Sequence, residues 1–331
     1  MAHGMVTGAL LISTLFWKCD AGHGPKVEIA WLGATPTNLY DAAILDGARA
    51  TAKQRGGTVD AFYSGFDADL QLSQCLEIVA SGDYDALIVL PAAAEGIVPC
   101  VDQAAAAGLP LVAADLPIGP DVLTPEPQVP GQTGAVLTPA GAFGDSVGEL
   151  AVAACADEDP CEVVYLGGVL AFTVDTYTLG RVEDTVAEHP NMTLVAAAEA
   201  YYDESTAYTV MQGILTDHPG VDLVIALGDQ MARGAEAAVA DAGLAPGSVA
   251  LIGAGAGAYA VDAVRDGRWY ATFVTLPFDE GVFAADIVID AARDLPVADP
   301  GIDPVVLAGL PRFMHAGNLE LFADFVAQWP G

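Results

Sequence analysis

From residue 26 the chain alternates short apolar runs with segments of helical length, and this alternation appears twice, with one interruption. Residues 27–32 (Val-Glu-Ile-Ala-Trp-Leu) read as a strand, followed by a helical pattern over 41–55 that ends at Gly56-Gly57. A strand over 58–63, a helix over 70–80, a strand over 86–90 closed by Pro91, a helix over 96–107 and a strand over 111–114 continue the series. A loop rich in proline and glycine, residues 117–134, then intervenes. The pattern restarts with helices over 141–154, 179–189, 207–218 and 231–242, and strands over 162–166, 194–197, 223–227 and 249–252. Continuous apolar strands separated by amphipathic helices predict parallel sheets covered on both faces. Two such runs predict an α/β protein of two doubly wound lobes. Ligands of these folds sit beyond the carboxyl ends of the strands, which are the turns at 33–41, 91–95, 115–118, 167–178, 228–231, 253–258 and 274–279.

A length of 331 residues suits two lobes, and 53% hydrophobic residues are enough to fill two cores. Asp and Glu outnumber Lys and Arg by 44 to 11, a formal net charge of −33. That balance argues against nucleic acid, whose capture needs clustered cations, and against docking on anionic lipid. It bears on solubility and on a saline or GC-rich source more than on fold.

Residues 8–17 form a ten-residue apolar run. It is too short to span a bilayer, which takes about 20 residues, and it suits a signal-peptide core with small residues, Ala21 and Gly22, near the cleavage point. Export is therefore expected, to a periplasmic or extracellular location. Lipidation of Cys19 is the alternative and would anchor the N-terminus to a membrane, but Phe16, Trp17 and Lys18 precede it where small residues belong. Setting Cys19 aside leaves Cys75, Cys100, Cys155 and Cys161, which permit three pairings. The most local pairs, Cys75–Cys100 and Cys155–Cys161, suit an oxidising compartment; four buried free thiols are the alternative. No Cys-x-x-Cys or His-x3-His spacing points to a metal.

Two motifs suggest chemistry on paper. Residues 144–148 (Gly-Asp-Ser-Val-Gly) match a nucleophile elbow, but that elbow needs a strand running straight into its serine. Here Ser146 reads as the interior of a helix. Residues 253–258 (Gly-Ala-Gly-Ala-Gly-Ala) match a dinucleotide-binding fingerprint after a strand. In so glycine-rich a chain they read better as a tight turn near a ligand. Histidines 3, 23, 189, 218 and 315 are scattered, with no triad or paired-carboxylate spacing.

The stretch from His218 to Ala235 carries a resemblance. A strand followed by Asp229, Met231, Ala232, Gly234 and Ala235 resembles the strand-turn-helix of the type I periplasmic sugar-binding proteins, the ribose-binding-protein group. The blocks 249–253, 263–272, Leu276-Pro277 with Gly281, and Asn38-Leu-Tyr40 with Asp46-Gly47 are similar in order and spacing. The resemblance runs from about residue 26 to the end. It implies two lobes joined by three hinge crossings near 136–140, 275–278 and 305–309. The implied N-terminal lobe is 25–137 plus 277–306 and the C-terminal lobe 138–276 plus 307–331, after a signal-like segment 1–24.

The resemblance also implies ligand contacts at Asn38, Tyr40, Asp115, Thr176, Tyr202, Gly228, Gly255 and Thr275, with Asp41 and Asp229 as substitutes for missing partners. Tyr40 and Tyr202 would sandwich an apolar ring face, Asp115 would accept from a pair of hydroxyls, and Asn38 would both donate and accept. Pentose binders of the family show arginines near 116 and 176, an amide at 228 and an acid at 255. This chain has Leu116, Thr176, Gly228 and Gly255. Each partner missing from a polyhydroxyl ligand costs ~1–3 kcal/mol, so the ligand differs from a pentose or other residues replace those partners. The expected function is capture of a small sugar-like molecule for an ABC importer, by a monomer partnered with a membrane permease, without cofactor, metal or catalysis. A sensory protein that presents its ligand to a membrane receptor is the first alternative. A serine hydrolase using Ser146, or a nicotinamide-dependent enzyme using Gly253, is the second.

Overall fold

The structure, a computed structural model, describes residues 24–331; the apolar run 8–17 and Cys19 lie outside the described residues. In chain order the first elements are β1 (Glu28–Gly33), α1 (Leu39–Gln54), β2 (Thr58–Tyr63), α2 (Ala68–Ser81), β3 (Ala86–Val89), α3 (Val98–Ala107), β4 (Leu111–Ala114) and β5 (Gly134–Val136). Then come α4 (Gly141–Ala154), β6 (Cys161–Gly167), α5 (Thr173–Glu188), β7 (Met192–Glu199), α6 (Glu204–Asp217), β8 (Val221–Ala226), α7 (Asp229–Asp241), β9 (Ala250–Ala254), α8 (Ala258–Arg265) and β10 (Ala271–Phe273). The chain closes with α9 (Pro277–Ala292), β11 (Gly301–Ile302), α10 (Pro304–Leu307), β12 (Phe313–His315) and a 3-10 turn over Ala316–Phe322.

The strands form two six-stranded sheets, ordered β11-β5-β4-β3-β1-β2 and β12-β10-β9-β8-β6-β7. Every pairing is parallel except β10 with β12. The chain passes between the sheets three times: after β5, after β10, and between β11 and β12. Two doubly wound lobes on a three-strand hinge are therefore the architecture, as the alternation and the resemblance imply.

Period-2 geometry sends successive strand residues to opposite faces. In the first sheet Ile29, Trp31, Ile88, Val112 and Val136 pack under α1 and α9. Ala30, Leu32, Leu87, Val89 and Leu111 pack under α2 and α3 on the other face. Each such aliphatic, fully buried, contributes about 1.5–3 kcal/mol. Side chains cap the starts of α1, α2, α6 and α10. Asn38 accepts from the Tyr40 and Asp41 amides at 2.9 and 3.4 Å, and Asp67 from the Leu70 amide at 2.9 Å. Both cysteine pairs form: Cys75–Cys100 ties α2 to α3 with Cα atoms 6.0 Å apart, and Cys155–Cys161 ties the end of α4 to β6 with 5.6 Å. Among the described residues no helix is long and apolar enough to cross a membrane.

Several boundaries differ from the sequence reading: α1, α2 and α6 begin two or three residues early, at Leu39, Ala68 and Glu204, and α3 two residues late, at Val98. β5 emerges inside the end of the proline-rich loop, because Gly134–Val136 gains partners on both sides that no local pattern announces. α5 begins at Thr173, six residues before the predicted start at 179, and α7 begins at Asp229, two before 231. The last two shifts move predicted loop residues into first helical turns, with consequences at the site.

Candidate functional site

A cavity of about 140 Å³ opens between the lobes, at the carboxyl ends of both sheets. The first lobe supplies Asn38, Tyr40, Asp41, Phe66, Pro91 and Asp115. The second supplies Phe172, Tyr202, Gly228, Gln230 and Gly255, and the crossings supply Thr138 and Thr275. A larger adjoining cavity of about 510 Å³ is apolar apart from Glu95 and Thr173. The two share Pro91, Ala92, Leu116, Phe172 and Val174.

Of the expected contacts, Asn38, Tyr40, Asp41, Asp115, Tyr202, Gly228, Gly255 and Thr275 converge on the smaller cavity. Thr176 does not. It lies in the first turn of α5, exposed, and donates its hydroxyl to the Leu170 carbonyl at 2.9 Å. Asp229 does not line the cavity either. Fully buried at the start of α7, it accepts from the Gly257 amide and from the Thr272 hydroxyl, both at 2.8 Å. Its burial pushes its carboxyl up to about 7. Asp229 thus shapes the turn 253–257 from beneath.

That turn is full. Besides the Gly257 amide held by Asp229, the Ala258 and Tyr259 amides at the start of α8 donate to the carbonyls of Trp329 and Pro330 at 2.9 and 3.0 Å. A pyrophosphate would need those amides free, so the Gly253–Ala258 motif is a packed turn and not a nucleotide site. Gly255 adopts φ +134°, where a Cβ would stand 2.4 Å from the Trp329 ring. Ser146 sits inside α4, ten residues past the end of β5, so no elbow forms.

The Asn38 oxygen is spent on capping α1, which leaves only its amide N–H groups for a ligand; the expected dual donor and acceptor role is halved. The aromatic arrangement also differs from a Tyr40–Tyr202 sandwich. Tyr40 meets Trp329 edge-on, centroids 5.3 Å apart, while Tyr202 faces Phe66 of the opposite lobe at 6.4 Å and 21°. Phe66 escaped sequence reading because the turn after β2 carries no motif. Its conformation is the signal: Phe66, Asp115 and Tyr202 have φ of 66°, 64° and 52°. Left-handed backbone at non-glycine residues costs roughly 1–3 kcal/mol each and clusters at functional sites.

The wall is acidic. Asp41 is 7% exposed, and its Oδ2 has no partner. Burial raises its carboxyl to about 6, against the pull of the Thr35 and Ala34 amides. Burial, reinforced by Asp41, pushes Asp115 up to about 8, while the Tyr40 hydroxyl lowers it. Glu280, fully buried in α9, accepts from the Thr138 amide at 3.3 Å; its second oxygen is unpartnered. Burial and the neighbouring Asp115 raise it well above the usual carboxylate range. Across the cavity Tyr202 donates to Asp175 at 2.9 Å, and burial lifts that carboxyl to about 6. Gln71 is buried and braces the wall, donating to the Leu90 carbonyl and accepting from the Ala92 amide, both at 2.8 Å.

The ribose import binding protein of Bacillus subtilis (strain 168) is 26% identical over 278 residues, covering 83% of this chain and 85% of that protein. The D-allose-binding periplasmic protein of Escherichia coli (strain K12) is 24% identical over 291 residues, 88% of this chain and 90% of its own. Among solved structures, an ABC transporter solute-binding protein from Bacillus halodurans C-125 with bound myo-inositol superposes with a TM-score of 0.76 at 20% identity, covering 92% of this chain and 99% of that one. One from Mycobacterium smegmatis with bound glycerol gives 0.75 at 24%, with the same coverage. The periplasmic binding protein domain family matches residues 29–295. Two parallel-sheet lobes, a cleft lined from both, and a family match across most of the chain lead to one conclusion: the chain belongs to the periplasmic binding protein domain family, whose members bind solutes and are not enzymes.

Proposed function

We propose that this protein is the extracytoplasmic binding component of an ABC importer and captures a small sugar- or polyol-like molecule between its lobes. One observation carries the reading: a cavity between the carboxyl ends of two separate sheets, with aromatic and polar groups drawn from both lobes. A ligand there makes part of its contacts with each lobe, so it favours the closed arrangement by the difference in contact energy between open and closed states. Relatives named for ribose and allose support the solute class. The cavity of about 140 Å³ lies below the ~300–1,000 Å³ usual for drug-sized ligands and suits a molecule of monosaccharide size, with the apolar cavity of about 510 Å³ adjoining it.

The lobes divide, in this reading, at the three crossings, with 25–137 and 277–306 on one side and 138–276 and 307–331 on the other. A monomer would dock its closed form on a membrane permease. Asn38, Tyr40, Asp41, Asp115, Tyr202 and Thr275 would be the side chains that touch the ligand. A thermal-shift screen with sugars, polyols and their amine derivatives tests capture. A true ligand at about 100 times its Kd stabilises by ~2.7 kcal/mol. Small-angle scattering should show the particle contract on adding it. A hit that leaves the scattering profile unchanged would count against closure.

A further inference from the structure

The cleft is short of positive charge in a way that narrows its ligand. Among the described residues no lysine or arginine lines the cavity. Arg312, beside the third crossing, is outside the lining and pairs with Asp303. The lining carries Asp41 and Asp115, and Glu280 lies buried behind Thr138. Asp41 keeps one buried oxygen without a hydrogen-bond partner beside the cavity, and Glu280 keeps another behind its wall. A buried acceptor without a donor costs ~1–3 kcal/mol, more when charged, and several acids in one pocket repel one another when ionised. The rings of Phe66, Tyr202, Tyr40 and Phe172 line the same cavity, with Phe66 and Tyr202 stacked. Carboxylates and aromatic rings lining one cavity form a setting that attracts organic cations.

We propose that the captured molecule carries a protonated nitrogen: a hydroxylated amine such as an amino sugar, an aminocyclitol or an amino alcohol, its ammonium held between Asp41 and Asp115. The proposal rests on the cleft being the capture site and names the chemical class it takes. The ammonium donates to the carboxyl oxygens of Asp41 and Asp115 that border the cavity, and its charge offsets the repulsion between these two acids. The carbon skeleton lies against Phe66 and Tyr202. The Asn38 amide N–H groups, and the Thr275 hydroxyl oxygen as an acceptor, remain for the hydroxyl groups.

The test uses probes matched in shape but not in charge: glucosamine with glucose, galactosamine with galactose, an aminodeoxyinositol with myo-inositol, and 1,4-diaminobutane with 1,4-butanediol. Titration calorimetry and melting curves are run on the wild-type protein at pH 7.5. At least one amine should bind tenfold or more tightly than its hydroxyl twin. That binding should release protons, seen as a heat that changes between buffers of different ionisation enthalpy, because the cation drives the carboxyls to ionise. Asp41→Asn and Asp115→Asn should erase the preference for the amine. The wild-type proton release keeps the test decisive if either variant folds poorly. Hydroxyl twins that bind as tightly as their amines would overturn the proposal and leave the capture reading standing. Silence from every amine also overturns it. Silence from both classes, with no small molecule retained in native mass spectra, would take the capture reading down as well.

Discussion

Trp329 donates its indole N–H to the Gly255 carbonyl at 2.8 Å while its ring meets Tyr40 edge-on. The same carbonyl accepts from the Thr275 hydroxyl at 3.1 Å. A residue near the chain's end, which does not line the cavity, thereby fixes a turn of one lobe and an aromatic wall of the other. Trp329→Ala should weaken ligand binding about tenfold or more. Trp329→Phe, which keeps ring packing and loses one hydrogen bond worth about 1 kcal/mol, should weaken it about fivefold. Calorimetry on the two variants checks the order; equal affinities would remove the brace.

Gly281 of α9 lies against α1 so closely that a Cβ would stand 1.8 Å from the Ile44 carbonyl oxygen, and Gly47 of α1 meets the Phe278 carbonyl at 2.0 Å in the same sense. Overpacking a tight contact costs about 1–3 kcal/mol and sometimes more. Here the obstacle is backbone, which cannot rotate aside. Gly281→Ala should therefore lose about 3 kcal/mol or more in denaturant melts. Gly180→Ala on α5, where nothing stands within 4 Å, should be neutral or slightly stabilising.

Stability of the ligand-free protein should fall as pH rises. Asp41, Asp175, Asp229 and Asp115 are raised to about 6, 6, 7 and 8, chiefly by burial. In the unfolded chain they titrate near 3.9. Between those values the folded state holds more protons than the unfolded one, so ∂ΔG/∂pH is negative. The contribution is complete below about pH 4 and is lost as pH climbs through about 6 to 8. Asp115 is faced by Asp41, Glu280 and Tyr40, with Glu280 itself beside Asp303 and its partner Arg312. Asp115→Asn removes one titrating member, and the fall in Tm between pH 5 and 8.5 should shrink by about 3 °C or more. A slope unchanged by the substitution would contradict the assignment.

The two disulfides should differ in worth. Cross-linking the 25-residue separation of Cys75–Cys100 limits the unfolded chain by about 3–4 kcal/mol, against about 2 kcal/mol for the 6-residue separation of Cys155–Cys161. Replacing each pair with serine and comparing midpoints in urea should rank them in that order.

The two-lobed plan and most element positions could be read from the chain's own pattern, and eight of the cavity's residues followed from the resemblance. Strand and helix periodicity are local properties, and the turns that follow parallel strands must gather at one end of a sheet. Distances between turns are not local. Thr176 and Asp229 left the expected site because each helix began earlier than its apolar pattern did, which put one side chain outward and the other beneath the turn. Phe66 joined the site because a left-handed residue after β2 aims its ring across to Tyr202. Glu280 has an apolar helix around it in sequence, and only the packing of α9 against the first sheet sets its carboxyl behind Thr138. Chain order settled which residues could meet; burial and the approach of the two lobes decided which of them do, and with what charge.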